Sequence, residues 1–285
     1  MVDLAVNIAA GLLTAAAVWL LQWSLRRRRL NRTRDFFGLA PGTDCLLVVN
    51  RHATSANELS VHRRDVFALL ELAGLIRMCG ARTEVVGHDE VRRGFGEKAE
   101  FCIGGPTSNS RTAAHLEWKL PGVEISAGSG KAPTMRVGDQ TYNRESGAEY
   151  VLLAKVTAPE QSRPVFLICG QTAVTNQAAA RYLVAHERKL ARKYGTRSGF
   201  CAVLKVINPA AYGPDVVEWV ADVTAAAFRP QIVEPPTARA ATPTSKAAPP
   251  IKVADPQPEA KPAATPAKAP TGPATKAAPG KASSD

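Results

Sequence analysis

The 285-residue chain has no C-x-x-C pair and no His/Cys cluster at metal-ligand spacing. Without one or the other, nothing in the sequence argues for a metal site, and none is predicted. The five cysteines, Cys45, Cys79, Cys102, Cys169 and Cys201, are an odd number, and all but Cys79 sit in or beside apolar runs. Buried, reduced thiols in a reducing compartment follow from that pattern. No Ser-His-Asp or Cys-His arrangement has a spacing that compels nucleophilic catalysis, so no catalytic residue is assigned. Charge is missing altogether from residues 4–23, LAVNIAAGLLTAAAVWLLQW.

That uncharged run is long enough to cross a bilayer core of roughly 30 Å as a helix. Trp19 and Trp23 lie near its end, and the block Arg26–Arg29 follows at once, whereas only Asp3 and the α-amino group precede it. A cleaved secretory signal has the opposite charge polarity. The expectation is a single uncleaved anchor in the cell membrane, with the N-terminus outside and the rest of the chain cytoplasmic. The same arginines are suited to anionic lipid headgroups.

The formal net charge of +11 is concentrated in the flanks: +5 over residues 26–35 and +4 from Arg229 onward, leaving about +3 for the middle. A domain that is only mildly basic is not expected to bind nucleic acid. From Arg229 the chain is Ala, Pro, Lys and Thr with almost no large apolar residue. Such a composition cannot offset ordering entropy, and residues 229–285 are predicted to be a disordered tail, a solvated linker or a docking segment for a protein partner.

Between the flanks, strand and helix patterns alternate. CLLVVN (45–50), RTEVVG (82–87), AEFCIGG (99–105), VFLICG (165–170) and FCAVLKVI (200–207) read as short strands, CLLVVN and VFLICG as buried ones. RRDVFALLELAGLIRMCG (63–80) and AVTNQAAARYLVAHERKLARKYG (173–195) read as helices, and SRTAAHLEW begins another. GVEISAG, TMRVGDQTYN and EYVLLAKVTA break the rhythm as strands without helices between them, with a hairpin at Gly138-Asp139. GPDVVEWVADVTAAAF (213–228) is predicted to be a final helix, with Val216, Val220, Val223 and Ala227 on one face. The expected fold class is α/β: a mostly parallel sheet flanked by helices, with an antiparallel hairpin insertion, preceded by one transmembrane helix and followed by the tail. Residues 1–25 are the anchor, 26–35 a basic juxtamembrane segment and 36–228 the domain. In the order of its strands and helices, the middle resembles the Rossmann-like and flavodoxin-like α/β class.

Two segments share one plan. FCIGGPTSNSRTAAHL and FLICGQTAVTNQAAARYL each run from a buried strand through glycine and a polar loop into an Ala-rich helix. Helix N-termini at the carboxyl ends of parallel strands favour anions. The ligand-binding candidates are therefore Gly104, Gly105, Thr107, Ser108, Asn109 and Arg111 in the first loop, with Arg111 as a bidentate phosphate partner. In the second they are Gly170, Gln171, Thr172, Thr175 and Asn176. Asn50 and Asp89 end two further strands on the same rim, beside Arg51, His52, His88 and Glu90. Neither loop is a G-x-G-x-x-G or Walker sequence, and the first strand lacks a glycine turn, which sets an NAD(P) reading aside and assigns no cofactor. The competing account is that the glycines permit turns and the Ser, Thr and Asn residues cap helices. Glu145 and Glu149 are expected in a solvated loop.

These observations lead to a membrane-anchored cytoplasmic domain that binds a small phosphorylated or nucleotide-like ligand, as sensor or scaffold. Two alternatives are a non-catalytic interaction protein acting through its basic tail, and a nucleotide-processing hydrolase or transferase using Asp89, Glu90 or a loop asparagine.

Overall fold

The computed structural model describes residues 2–229, apart from 53, 58, 92–93, 127–132 and 158–162. The predicted tail from residue 230 onward lies outside the described residues. The apolar run forms the first part of one continuous helix, α1 (Val2–Phe37), whose apolar window has a mean hydropathy of 2.1 and no residue buried. By length and composition this helix is able to cross a membrane. Its last turns are different. Phe36 and Phe37 have no exposed surface, Thr33 donates to Glu187 (3.2 Å) and Arg34 donates to the Cys79 carbonyl (2.8 Å). The basic segment and the start of the domain thus share one continuous helix.

The main sheet has seven strands. In chain order these are β1 (Asp44–Val49), β2 (Arg82–Gly87), β3 (Ala99–Ile103), β7 (Ala148–Val156), β8 (Val165–Gly170), β9 (Phe200–Ile207) and β10 (Val217–Asp222). Their spatial order is β10-β9-β7-β8-β3-β1-β2. The pairs β1/β2, β1/β3 and β3/β8 are parallel, and β7/β8, β7/β9 and β9/β10 antiparallel, so the sheet is mixed. The insertion is a separate three-stranded antiparallel sheet of β4 (Val123–Ser126), β5 (Thr134–Val137) and β6 (Gln140–Tyr142), turning at Gly138 as its sequence predicted. Helices α2 (Arg63–Met78) and α4 (Ala173–Tyr194) share a core with the end of α1 on one face. Helix α3 (Ser110–Lys119) and the small sheet close the other. Short helices α5 (Pro209–Tyr212) and α6 (Thr224–Ala227) flank β10. All five cysteines are buried and free, as expected.

The predicted final helix is corrected: residues 217–222 form an edge strand against β9. The sequence VEWVAD supports both a helical stripe and an alternation, and such short runs are ambiguous until partners are known. Here Val217 and Trp219 pack on the α4 side, and a register shift between Trp219 and Ala221 turns Ala221 to the opposite core. Glu149 is corrected too. It lies in β7 rather than in a solvated loop, is 3% exposed, and is bound by Arg144 and by the Thr172 hydroxyl (both 2.5 Å).

Lys155 of β7 is fully buried; its Nζ donates to the Thr196 carbonyl (2.5 Å) and lies over the Phe36 ring at 4.5 Å. Burial pulls its pKa down from 10.5 to about 8. Between those values the folded chain binds fewer protons than the unfolded one, so stability rises with pH across that window. Lys155→Met removes the desolvation penalty, about 3 kcal/mol at neutral pH, and loses a cation–π contact of about 2 kcal/mol. The bond to the Thr196 carbonyl, worth about 1.5–3 kcal/mol, is lost as well, so no net gain is expected at pH 7, while the rise between pH 8 and 10.5 should disappear, as denaturant unfolding would measure.

Candidate functional site

The parallel half of the sheet sets the site. From β1 the chain crosses through α2 to β2 on one side, and β3 later pairs on the other. Loops leaving adjacent strands there diverge to opposite faces, which opens a crevice beyond the strand ends. Two cavities occupy it, on either side of Asn50. One, of about 270 Å³, is lined by Asn50, His52, Asp65, Gly105, Thr107, Ser108, Gly170, Gln171, Thr172 and Asn176. The other, of about 420 Å³, includes Asn50, His88, Asp89, Glu90, Ser108 and Asn109. The two glycine loops, far apart in the chain, therefore face one cleft, and Asp89 sits in the adjoining hollow.

The loops are held close by backbone contacts. The Arg51 amide donates to the Ser108 carbonyl (3.0 Å), and Gly104, at φ +95°, packs on the Asn50 side chain, where an added Cβ would lie 2.8 Å from the Asn50 Cβ. Only glycine fits such a conformation and approach. Many of the candidate polar groups are committed to this scaffold. Asn109 caps α3, accepting from the Thr112 amide (3.0 Å) and donating to the Ile103 carbonyl (2.8 Å). Thr172 and Thr175 form a reciprocal capping box at α4. Gln171 accepts from the Tyr150 amide (2.8 Å) and donates to the Pro133 and Tyr142 carbonyls (both 3.0 Å), fastening the small sheet to the rim. Ser108 donates to the Gly105 carbonyl, and Thr107 is exposed.

Asp65 was not a candidate, yet it forms the floor of the cleft. It is 2% exposed and accepts from Asn50 Nδ2 (3.0 Å) and Asn176 Nδ2 (2.8 Å), while Asn176 Oδ1 accepts from the Gly170 amide (2.8 Å). Its sequence signal was an acid on the buried stripe of α2, with Ala68, Leu72 and Leu75. Asn50 is 6% exposed, and its Oδ1 has no hydrogen-bond partner among the described residues. Buried acceptors are nearly always satisfied, so this one stands out at the cleft floor. On the wall above, the first-turn amides of Ala173 and Val174 lie where a helix leaves its donors open. Arg51, His52 and His62 stand at the rim, the two imidazole centroids 5.2 Å apart.

Arg111 lies elsewhere. Its guanidinium grips Glu100 of β3 through two bonds of 2.9 Å, below the cleft and outside both cavities. Glu100 is 1% exposed and also accepts from His115 Nε2 (3.0 Å) and the Cys102 thiol (3.0 Å). Burial would raise the Glu100 carboxyl, but the bonds from His115 and Arg111 outweigh it and hold the pKa at about 2. Burial and the neighbouring Glu100 charge push the Cys102 thiol well up. Glu100, Cys102 and His115 offer ligand atoms within 4.8 Å of one another. A divalent ion there would have to displace Arg111 and then sit beside a guanidinium; the group fits a closed ion-pair network better than a metal site.

Neither a protein-family model nor a curated protein matches this sequence.

Proposed function

We propose that this chain is a single-pass membrane protein whose cytoplasmic α/β domain binds a small phosphorylated or nucleotide-like ligand in the cleft at the ends of β1, β3 and β8, acting as a sensor or scaffold. The observation that carries the reading is Asn50: a nearly buried side chain with an unpartnered acceptor on the floor of a polar cleft at the sheet's switch point. Asn50 Oδ1 is itself shielded from solvent, so a ligand N–H or O–H donor satisfies it once the side chain turns toward the cleft, and the α4 N-terminus with Arg51 favours an anionic group beside it. Apolar exposure along α1 and the arginines after Trp23 support the anchor with its N-terminus outside.

The test is a thermal-shift screen of the detergent-solubilised full chain against nucleotides, dinucleotides and sugar phosphates. At a hundredfold excess over Kd a ligand adds about 2.7 kcal/mol, a rise in Tm of about 5–10 °C. Asn50→Ala, scored against its own unliganded Tm, is expected to abolish that rise. A flat screen on well-folded protein would leave Gly104 and Gly170 as turn residues and remove the ligand-binding reading.

A further inference from the structure

The pole opposite the cleft carries a second concavity that the ligand reading does not use. It lies between α1 and α4, has a volume of about 340 Å³, and is lined by Arg29, Arg32, Thr33, Glu187, Arg188 and Arg192, with Ala191 as its apolar wall. Four guanidinium groups thus surround one carboxylate. Glu187 is already engaged by Thr33 and Arg188, while Arg29, Arg32 and Arg192 make no ion pair among the described residues. All four arginines are exposed, so solvent screens their repulsion, and the hollow between the two helices is left net positive and open to an anion.

The position of the cavity identifies that anion. Trp23 ends the apolar run, and the helix continues unbroken into the core at Phe36 and Phe37, so the height of the cavity above the run is set by helix geometry. At 1.5 Å per residue, Arg29 and Arg32 lie about 9 and 14 Å beyond Trp23. Helical side chains lean toward the N-terminus, so both reach back toward the headgroup layer, roughly 5–8 Å thick on each side. Helix α4 contributes Arg188 and Arg192 to the same cavity. We infer that the α1/α4 cavity binds the phosphate headgroup of one anionic phospholipid from the membrane that α1 spans, fixing the domain's height and tilt on the bilayer. The inference rests on α1 being the membrane span.

The full chain is reconstituted in phosphatidylcholine nanodiscs containing a minor fraction of phosphatidylglycerol, and the lipids retained per chain are counted by native mass spectrometry. One saturably bound phosphatidylglycerol is expected. A charge-assisted bond from a guanidinium to the phosphate is worth at least about tenfold in affinity, so Arg188→Gln with Arg192→Gln should weaken retention about a hundredfold. Arg26→Gln with Arg27→Gln, on the same span end but outside the cavity, should leave that one lipid bound. Equal losses in both double variants would mean a diffuse basic field and overturn the site, as would competition by soluble glycerol phosphate at matched concentration. A chain that enters the discs but retains no saturable lipid overturns this inference alone. A chain that enters discs of neither composition overturns the span and this inference with it.

Discussion

Glu100→Ala is expected to destabilise the domain by about 3–5 kcal/mol, because it leaves the buried His115 and the largely buried Arg111 without the carboxylate they share. Denaturant unfolding would measure it, and Glu100→Gln, which keeps the shape but not the charge, should recover only part. The same pair predicts an acid dependence. A carboxyl held at about 2 when folded and near 4.5 when unfolded adds stability that is fully present above pH 4.5 and is lost as pH falls toward 2. About 3 kcal/mol should disappear across that window in the native protein and none of it in Glu100→Ala. An unchanged acid transition in the variant would contradict the network.

The second large effect concerns α1. Phe36 stacks with Phe200 (6.3 Å between centroids) and meets Phe166 (5.8 Å); Phe37 meets Phe101 (5.9 Å) and Phe166 (5.1 Å). Truncating a buried phenylalanine to alanine typically removes about 3–5 kcal/mol. Phe36→Ala with Phe37→Ala together should therefore remove more than about 6 kcal/mol, comparable with the whole stability of a domain this size. A chain starting at Arg26 is expected to fold cooperatively, and one starting at Gly42 is not. One starting at Phe36 should be weaker than the first, since it lacks the Thr33 and Arg34 bonds to Glu187 and Cys79. Circular dichroism melts of the three would decide it. Equal melting points would make the end of α1 dispensable packing.

How legible the site was follows from which interactions are local. The plan of a buried strand, glycine and a polar helix start recurs at 101–116 and 166–183, so both loops could be identified without coordinates. Asn109 and Thr172 behave as their residue types dictate at helix starts, since a cap satisfies amides two or three residues away. Arg111 could not be placed in that way. An arginine one residue into a helix beyond a glycine loop is equally suited to phosphate and to a carboxylate on the preceding strand, and Glu100 lies eleven positions earlier with nothing in its own pattern to mark it as buried. Asp65 was hidden for a similar reason: an acid in the first turn of a helix reads as a dipole partner until Asn50 and Asn176 close over it.

The amino-acid sequence by itself determined the elements governed by local pattern: an uncharged run of spanning length, five short strands, the hairpin at Gly138, the helices that follow the two glycine loops, and cysteines that stay reduced and buried. These depend on hydrophobic period, turn chemistry and length, which act within a few residues. Tertiary structure alone decided that residues 217–222 pair as an edge strand, that β7 runs antiparallel through the middle of the sheet, that Lys155 is buried beneath Phe36, and that Asn50, both glycine loops and Asp65 meet in one cleft. Each of those outcomes depends on a partner tens of residues away, and a pattern with two permitted readings takes the one whose apolar face and hydrogen bonds are completed by that partner.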